Sequence, residues 1–172
     1  MKAIEDEFKG MGADDQLAQE IAWSVVVESR TAGINPWFMV AIIKVENPWL
    51  KADTVSFAGA IGITQVMPLH AGKWGCGKDL TDIRTNVCSG ARIMASYLKR
   101  QWKLFGAEAN RIALLNYNGC VRTPGCTEYA SKVLSRTGFT DPSEVWQHGP
   151  PGLGEARLGA AMQGAARHGQ SP

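Results

Sequence analysis

Residues 36–68 read PWFMVAIIKVENPWLKADTVSFAGAIGITQVMP. The first eleven positions, which end at Glu46, are almost all apolar, and an Asn-Pro pair stands on either side of them, at 35–36 and 47–48. Asparagine followed by proline is typical of a helix start, whereas the residue before a proline avoids the helical region. The stretch therefore predicts a buried helix that ends at Glu46, followed by a long glycine-bearing loop or a small β-hairpin.

Apolar periodicity on both sides of this stretch predicts further helices. Val87, Ala91 and Met94 recur at helical spacing and mark the buried face of a long helix. The fold class is therefore mainly α. The predicted helices cover about residues 14–30, 82–105, 110–117 and 127–138, with a short helix over 64–67 and a last turn over 141–146.

The two ends of the chain differ from the middle in composition. Residues 1–12 are polar and contain two glycines, which favours a flexible N-terminal segment. Residues 148–172 are rich in glycine, alanine and proline, as is typical of a tail or linker. The sequence therefore predicts one compact domain over residues 13–147.

Overall composition excludes several classes of protein. The 172 residues carry a formal net charge of +2, and the lysines and arginines form no run or stripe, which argues against a nucleic-acid-binding surface. The longest apolar run, Trp37–Ile43, is far shorter than the roughly 20 residues that span a bilayer. With 45% hydrophobic and 20% charged residues, the chain is globular rather than disordered.

Four cysteines bear on the compartment in which the protein works. The sequence contains no Cys-x-x-Cys pair, and two local disulfides, Cys76–Cys88 and Cys120–Cys126, would each close a short loop. Such bonds indicate an oxidising compartment. A structural zinc site with irregular ligand spacing, or four free thiols in a cytosolic protein, are the alternatives.

Glu46 is the first candidate for a chemical role. At helical spacing it shares a face with Met39, Ile42 and Ile43, the apolar side of its helix. Lys44 points about 200° away on a helix of 3.6 residues per turn, and burial raises the pKa of a carboxyl. A carboxyl that stays protonated near neutral pH suits a general acid for a glycosidic oxygen. The alternative is a Glu that reaches solvent from the helix edge.

Three motifs carry a resemblance to a known family. Glu46-Asn47 is followed by Ser56 and by Gly59-Ala60-Ile61-Gly62-Ile63-Thr64-Gln65-Val66-Met67-Pro68; further on come Asn116-Tyr117-Asn118-Gly119 and Tyr129-Ala130-Ser131-Lys132-Val133-Leu134. Together and in this order they resemble the soluble lytic transglycosylase family, over roughly residues 36–135. The resemblance implies a lysozyme-like single domain, of the goose-type lysozyme kind, with a long active-site loop.

The resemblance also implies roles for individual residues. Glu46 matches the single catalytic acid, and Tyr117 matches a tyrosine whose hydroxyl hydrogen-bonds near the catalytic carboxyl. The backbone carbonyl of Asn116 is at a position that can contact substrate. The substrate-binding set is Ser56, Gln65, Met67, Asn116, Tyr117, Asn118 and Tyr129. The implied reaction cleaves the bond from N-acetylmuramic acid to N-acetylglucosamine in peptidoglycan and leaves 1,6-anhydromuramyl ends, with no metal or organic cofactor.

The family also implies a setting: a periplasmic or other extracytoplasmic mature enzyme, or a phage-encoded one, serving wall turnover or a secretion, conjugation or phage-entry assembly. The sequence departs from the family pattern at Asn47, usually Ser, at Thr64, usually Met, and at Asn116, usually Ala. Two other functions stay open. One is a hydrolytic muramidase in which Asp53 positions a water; the other is a wall-binding or virion protein without turnover.

Overall fold

The computed structural model describes residues 1–120 and 127–148. It is mainly helical, which confirms the predicted fold class. The α-helices, in chain order, are α1 (Lys2–Gly10), α2 (Asp15–Ala32), α3 (Pro36–Glu46), α4 (Ile83–Phe105), α5 (Ala109–Tyr117) and α6 (Thr127–Leu134), with 3₁₀ turns at Pro68–His70, Gly106–Glu108 and Pro142–Val145.

Helix α3 lies at the centre of the core. Its start is fixed as the sequence predicts, because the Asn35 side chain accepts a hydrogen bond from the Trp37 amide at 3.0 Å and Pro36 occupies the first turn. Every side chain from Phe38 to Ile43 is buried. Helices α2 and α6 pack against it. Glu46, at its last turn, is thereby held at the edge of the core.

Helix α4 is the second main support. The Asp82 side chain accepts a hydrogen bond from the Thr85 amide at 2.8 Å and caps its first turn. Val87, Ala91 and Met94 are fully buried, so the predicted apolar face is confirmed. The helix packs against α2 on one side and α5 on the other. Helix α4 therefore joins α2 to α5.

The N-terminal segment differs from the expectation. Residues 1–12 are predicted to be flexible, but residues 2–10 form α1, and Ile4 and Phe8 lie in the main core. These two residues stand four positions apart and share one helical face, which packs against α2. The polar average composition of residues 1–12 does not reveal two apolar side chains on one helical face. The prediction of a flexible N-terminal segment is wrong.

The long loop between α3 and α4 has no regular strand in its described residues. Single antiparallel bridges join Val55 to Ile61 and Ile61 to Val66. The short helix predicted over 64–67 is wrong, since Gln65 has φ +51°, which a right-handed helix does not allow. The nearest helical turn follows it at Pro68–His70.

A disulfide joins Cys76, in this loop, to Cys88 on α4, as predicted. Cys126 lies outside the described residues, and so does residue 149 onward of the predicted tail. Within residues 1–120 and 127–148, no helix is long and apolar enough to cross a membrane. In the same residues no group of three or more His, Cys, Asp and Glu side chains could hold a metal ion.

Candidate active site

Glu46 is at the C-terminal end of α3, with its side chain only partly accessible. The Tyr129 hydroxyl on α6 donates a hydrogen bond to its Oε1 atom. Lys44, the nearest cation in sequence, forms an ion pair with Glu7 on α1 instead. The carboxyl group is therefore held by a neutral phenol on a helix that also packs against α3.

Burial controls the protonation of this carboxyl. It raises the pKa of Glu46 from 4.5 to about 7, and the hydrogen bond from Tyr129 opposes the rise without cancelling it. Within the described part of the chain, neither a second carboxylate nor a cation contributes to this pKa. At neutral pH the group is therefore near its midpoint, where it can both give and take a proton.

Tyr129 is buried beside Glu46. Burial, and then the charge of Glu46, raise the pKa of its phenol well above the usual value of 10. It stays protonated and serves as a hydrogen-bond donor throughout the physiological range. The sequence analysis assigns Tyr129 to substrate binding, whereas here its hydroxyl contacts the acid. Its hydrogen bond occupies Oε1 and leaves Oε2 to carry the proton of the neutral acid.

Tyr117, the last residue of α5, lies close enough for the Glu46 charge to act on it. Burial first, and then that charge, raise the pKa of the Tyr117 phenol. Its hydroxyl donates to the backbone carbonyl of Thr64 at 2.7 Å. The expected tyrosine near the acid is therefore present, but its proton is directed to the loop between α3 and α4.

A buried polar pair, Thr64 and Asn86, fixes this part of the loop. The Asn86 Oδ1 atom accepts from the Thr64 amide at 2.8 Å and from the Thr64 hydroxyl at 2.7 Å. The Asn86 Nδ2 atom donates to the carbonyls of Ile61 at 2.8 Å and Leu80 at 2.9 Å. From the sequence, Thr64 stands out only as a departure from the family pattern, and Asn86 is not among the predicted site residues. The available signal was a polar residue on the buried face of α4, next to Val87.

Two glycines make room for this pair. A Cβ atom at Gly62, which has φ +81°, would lie 2.2 Å from Asn86 Nδ2. A Cβ atom at Gly90, on α4, would lie 2.5 Å from Thr64 Oγ1 and 2.9 Å from the Tyr117 hydroxyl. Both positions exclude any larger residue unless the loop or the phenol moves.

Asn47 joins the end of α3 to the same loop. Its side chain is buried, and its Nδ2 atom donates to the carbonyls of Lys51 at 2.7 Å and Gly62 at 3.3 Å. Gln65 donates from Nε2 to the same Gly62 carbonyl at 2.7 Å. The substitution of Asn for the usual Ser at position 47 therefore gives a longer side chain that reaches two backbone carbonyls of the loop.

The remaining predicted site residues lie in the loop between α3 and α4 and at the end of α5. Ser56 accepts a hydrogen bond from the Ala60 amide at 3.0 Å and closes a turn, and Met67 is 37% exposed. Asn116 donates to the Ile112 carbonyl at 2.7 Å within α5, and Asn118 is exposed directly after that helix. None of these four has a hydrogen bond to Glu46 in the described part of the chain.

A mainly α domain whose central helix ends in a buried acid beside a glycine-bearing loop is lysozyme-like in arrangement. The family model described as "Transglycosylase SLT domain" matches residues 25–125, more than half of the chain, and the chain belongs to this family. The chain is thus lytic transglycosylase-like and peptidoglycan-acting, which confirms the family predicted from the motifs. No curated protein matches the sequence significantly.

Proposed function

We propose that the protein is a peptidoglycan lytic transglycosylase in which Glu46 is the only catalytic carboxyl. The observation that carries the proposal is the environment of Glu46: its side chain is half-buried, it is paired with a phenol rather than a cation, and desolvation raises its pKa to about 7. A carboxyl in this state is a general acid at neutral pH.

In the proposed reaction the glycan strand lies along the loop between α3 and α4. The Oε2 proton of Glu46 moves to the glycosidic oxygen between N-acetylmuramic acid and N-acetylglucosamine, and the bond from that oxygen to the muramyl C1 breaks. The muramyl C6 hydroxyl then bonds to C1, directly or after an acetamide-assisted intermediate, and its proton returns to the Glu46 carboxylate. The products are a 1,6-anhydromuramyl end and a free N-acetylglucosamine hydroxyl, with no water consumed.

The absence of a carboxyl partner supports this route. Two-carboxylate glycosidases place their second carboxyl about 5–9 Å from the first, where it perturbs the pKa of its neighbour. Among residues 1–120 and 127–148, no other carboxylate affects the pKa of Glu46. Asp53, the residue that a hydrolytic mechanism would use, is exposed on the loop.

The polar groups near the acid would hold the sugar. Gln65 lies in the part of the loop that its own hydrogen bond to the Gly62 carbonyl holds in place. Its carboxamide can bind sugar hydroxyl or acetamide groups. Tyr117, Asn116 and Asn118 approach from the end of α5. We place the enzyme outside the cytoplasm, where its substrate is found. The Cys76–Cys88 disulfide supports that location, because such bonds persist in oxidising compartments.

The test is mass spectrometry of the muropeptides that the full chain releases from purified peptidoglycan sacculi. The proposal predicts fragments with 1,6-anhydromuramyl ends from the native chain and none from Glu46→Gln. Reducing muramyl ends would identify a hydrolase instead. Binding to sacculi without any released fragment would identify a wall-binding protein, and both results would overturn the proposal.

A further inference from the structure

The hydroxyls of Tyr129 and Tyr117, the two tyrosines near Glu46, donate hydrogen bonds to different acceptors. Tyr129 donates to Glu46 itself, whereas Tyr117 donates to the Thr64 carbonyl at 2.7 Å. A phenol has one proton, and once that proton is donated its oxygen can only accept. Tyr117 therefore presents lone pairs, and no hydrogen-bond donor, to any other group that it meets.

The Thr64 carbonyl belongs to a residue that Asn86 holds in place. Its own residue bonds to Asn86 through the backbone amide and the hydroxyl, at 2.8 and 2.7 Å. Asn86 in turn holds the Ile61 carbonyl, three residues earlier in the loop, at 2.8 Å. Thr64 and Asn86 are 0% and 1% exposed, so water does not compete for these bonds.

Packing at Gly90 supports the same conclusion. The position of a Cβ atom there lies within 3 Å of both Thr64 Oγ1 and the Tyr117 hydroxyl, so both hydroxyls lie against α4 at Gly90. Thr64 and Tyr117 are therefore in contact at the place where the loop, α4 and α5 pack together.

We propose that Thr64 and Asn86 are positioning residues that fix the direction of the Tyr117 hydrogen bond, so that its phenol oxygen accepts from the protonated Glu46 or from the substrate and does not donate to the carboxylate. The inference rests on the proposed function, because it assigns a role in holding the acid ready. The titratable groups that face one another here are Glu46 on α3, Tyr117 on α5, Tyr129 on α6 and Tyr97 on α4, the last acting on Tyr117.

This arrangement gives the two phenols opposite effects. A donor to the carboxylate favours its charged form, and an acceptor favours the neutral acid. If the Thr64 carbonyl moves, the Tyr117 proton becomes free to turn towards Glu46 and the carboxylate is stabilised. A substitution at Thr64 therefore changes the pKa of Glu46 through Tyr117.

The test uses Thr64→Val, which removes the hydroxyl at nearly constant shape, and Thr64→Ser, which keeps it. We expect Thr64→Val to lower kcat on sacculi about tenfold with KM changed less than about twofold. Thr64→Ser should recover kcat to within about threefold of the native value. Equal losses in both variants, or a loss confined to KM, would overturn the assignment.

A double-mutant cycle with Tyr117→Phe separates positioning from general damage to the fold. The readout is the midpoint of the Glu46 carboxyl carbon in a ¹³C NMR titration, which needs no turnover. We expect Thr64→Val to lower that midpoint by about half a unit or more in the native background, and to leave it unchanged in the Tyr117→Phe background. The same shift in both backgrounds, or no shift in either, would contradict the proposal.

The two readouts keep the inference distinct from the proposed function. A native chain that releases no fragment from sacculi, yet gives the expected NMR cycle, would refute the enzymatic function and retain the hydrogen-bond arrangement. A native chain that releases anhydro fragments, yet shows no coupling between Thr64 and Tyr117, would refute the inference alone.

Discussion

Two glutamates on neighbouring helices, the buried Glu28 and the half-buried Glu46, have different partners. Glu28, on α2, is 6% exposed and lies 3.2 Å from the Arg84 Nε atom on α4, and that guanidinium also stacks on Trp23 at 4.8 Å. Glu46, on α3, is bound by the hydroxyl of Tyr129. Burial is common to both; the partner is a cation in one case and a neutral donor in the other.

The difference separates a carboxylate paired with a cation from one that is bound by a neutral donor. The Glu28–Arg84 ion pair joins α2 to α4. A phenol offers one hydrogen bond and no charge, so desolvation prevails at Glu46 and its pKa rises to about 7. Burial raises the pKa of a carboxyl most where no cation is near enough to offset the loss of solvation.

The largest expected effect comes from removing each carboxylate in turn. Glu46→Gln keeps the shape and the Tyr129 contact but has no proton to transfer, so release of fragments from sacculi should fall at least about a thousandfold. Glu28→Gln is the matched control and should keep activity within about twofold, at a cost of about 1 kcal/mol in unfolding free energy. An inactive but folded Glu28→Gln, with active Glu46→Gln, would reverse the assignment.

The second prediction concerns stability against pH. Glu46 binds its proton more tightly in the folded chain, where its pKa is about 7, than in the unfolded chain, where it is near 4.5. Its contribution is therefore fully present below pH 4.5 and is lost as the pH rises to 7 and beyond, by about 3 kcal/mol. Urea unfolding of native chain and Glu46→Gln at pH 5 and pH 8 measures it.

In that experiment Glu46→Gln should gain about 3 kcal/mol in unfolding free energy relative to the native chain between pH 5 and pH 8. A constant difference between native chain and Glu46→Gln would show that the buried acid does not titrate in this range.

A smaller effect is expected from removing the partner of each glutamate. Tyr129→Phe deletes a hydrogen bond that lowers the pKa of Glu46, so the pKa should rise and the alkaline fall of kcat should move to higher pH. Loss of orientation should lower the maximal kcat about tenfold. A pH–rate profile measures both.

Arg84→Met is the matched change at the other glutamate. It should leave the pH–rate profile where it is in the native chain, because Arg84 does not contact the acid at position 46. A profile moved to lower pH by Tyr129→Phe, or displaced by Arg84→Met, would contradict the two roles.

The smallest effect is expected at the exposed aromatic side chain beside each site. Trp49 is 78% exposed three residues after Glu46, where an aromatic face can pack on a sugar ring, so Trp49→Ala should raise KM about fivefold with little change in kcat. Trp23→Ala removes the stacking on Arg84 and should cost about 0.5 kcal/mol of stability with KM unchanged. Equal KM values for the two variants would place the glycan away from Trp49.

The sequence was sufficient for the acid and its helix. The apolar run and the two Asn-Pro pairs place Glu46 at the last turn of α3, and the burial of Phe38 through Ile43 agrees with them. The Cys76–Cys88 bond was also predictable, because it closes a short loop. These features depend on local spacing, which periodicity and capping rules describe well.

The partners of the acid depend on contacts between distant segments. Tyr129 is 83 positions from Glu46, and Thr64 is 22 positions from Asn86, so neither contact follows from helical or strand spacing. The family motifs pointed to Tyr117 as the tyrosine that hydrogen-bonds near the acid, whereas Tyr129 is the one that donates to Glu46 and Tyr117 donates to the Thr64 carbonyl. Helix α1 was missed for a similar reason, because its two core residues are visible only against α2.

The most direct measurement is a ¹³C NMR titration of the Glu46 carboxyl carbon in the native chain, assigned by its disappearance in Glu46→Gln. The account predicts a midpoint near pH 7, as burial beside Tyr129 requires. A midpoint near 4.5, the value of an exposed glutamate, would show that the carboxyl is charged at neutral pH and would contradict its role as the proton donor.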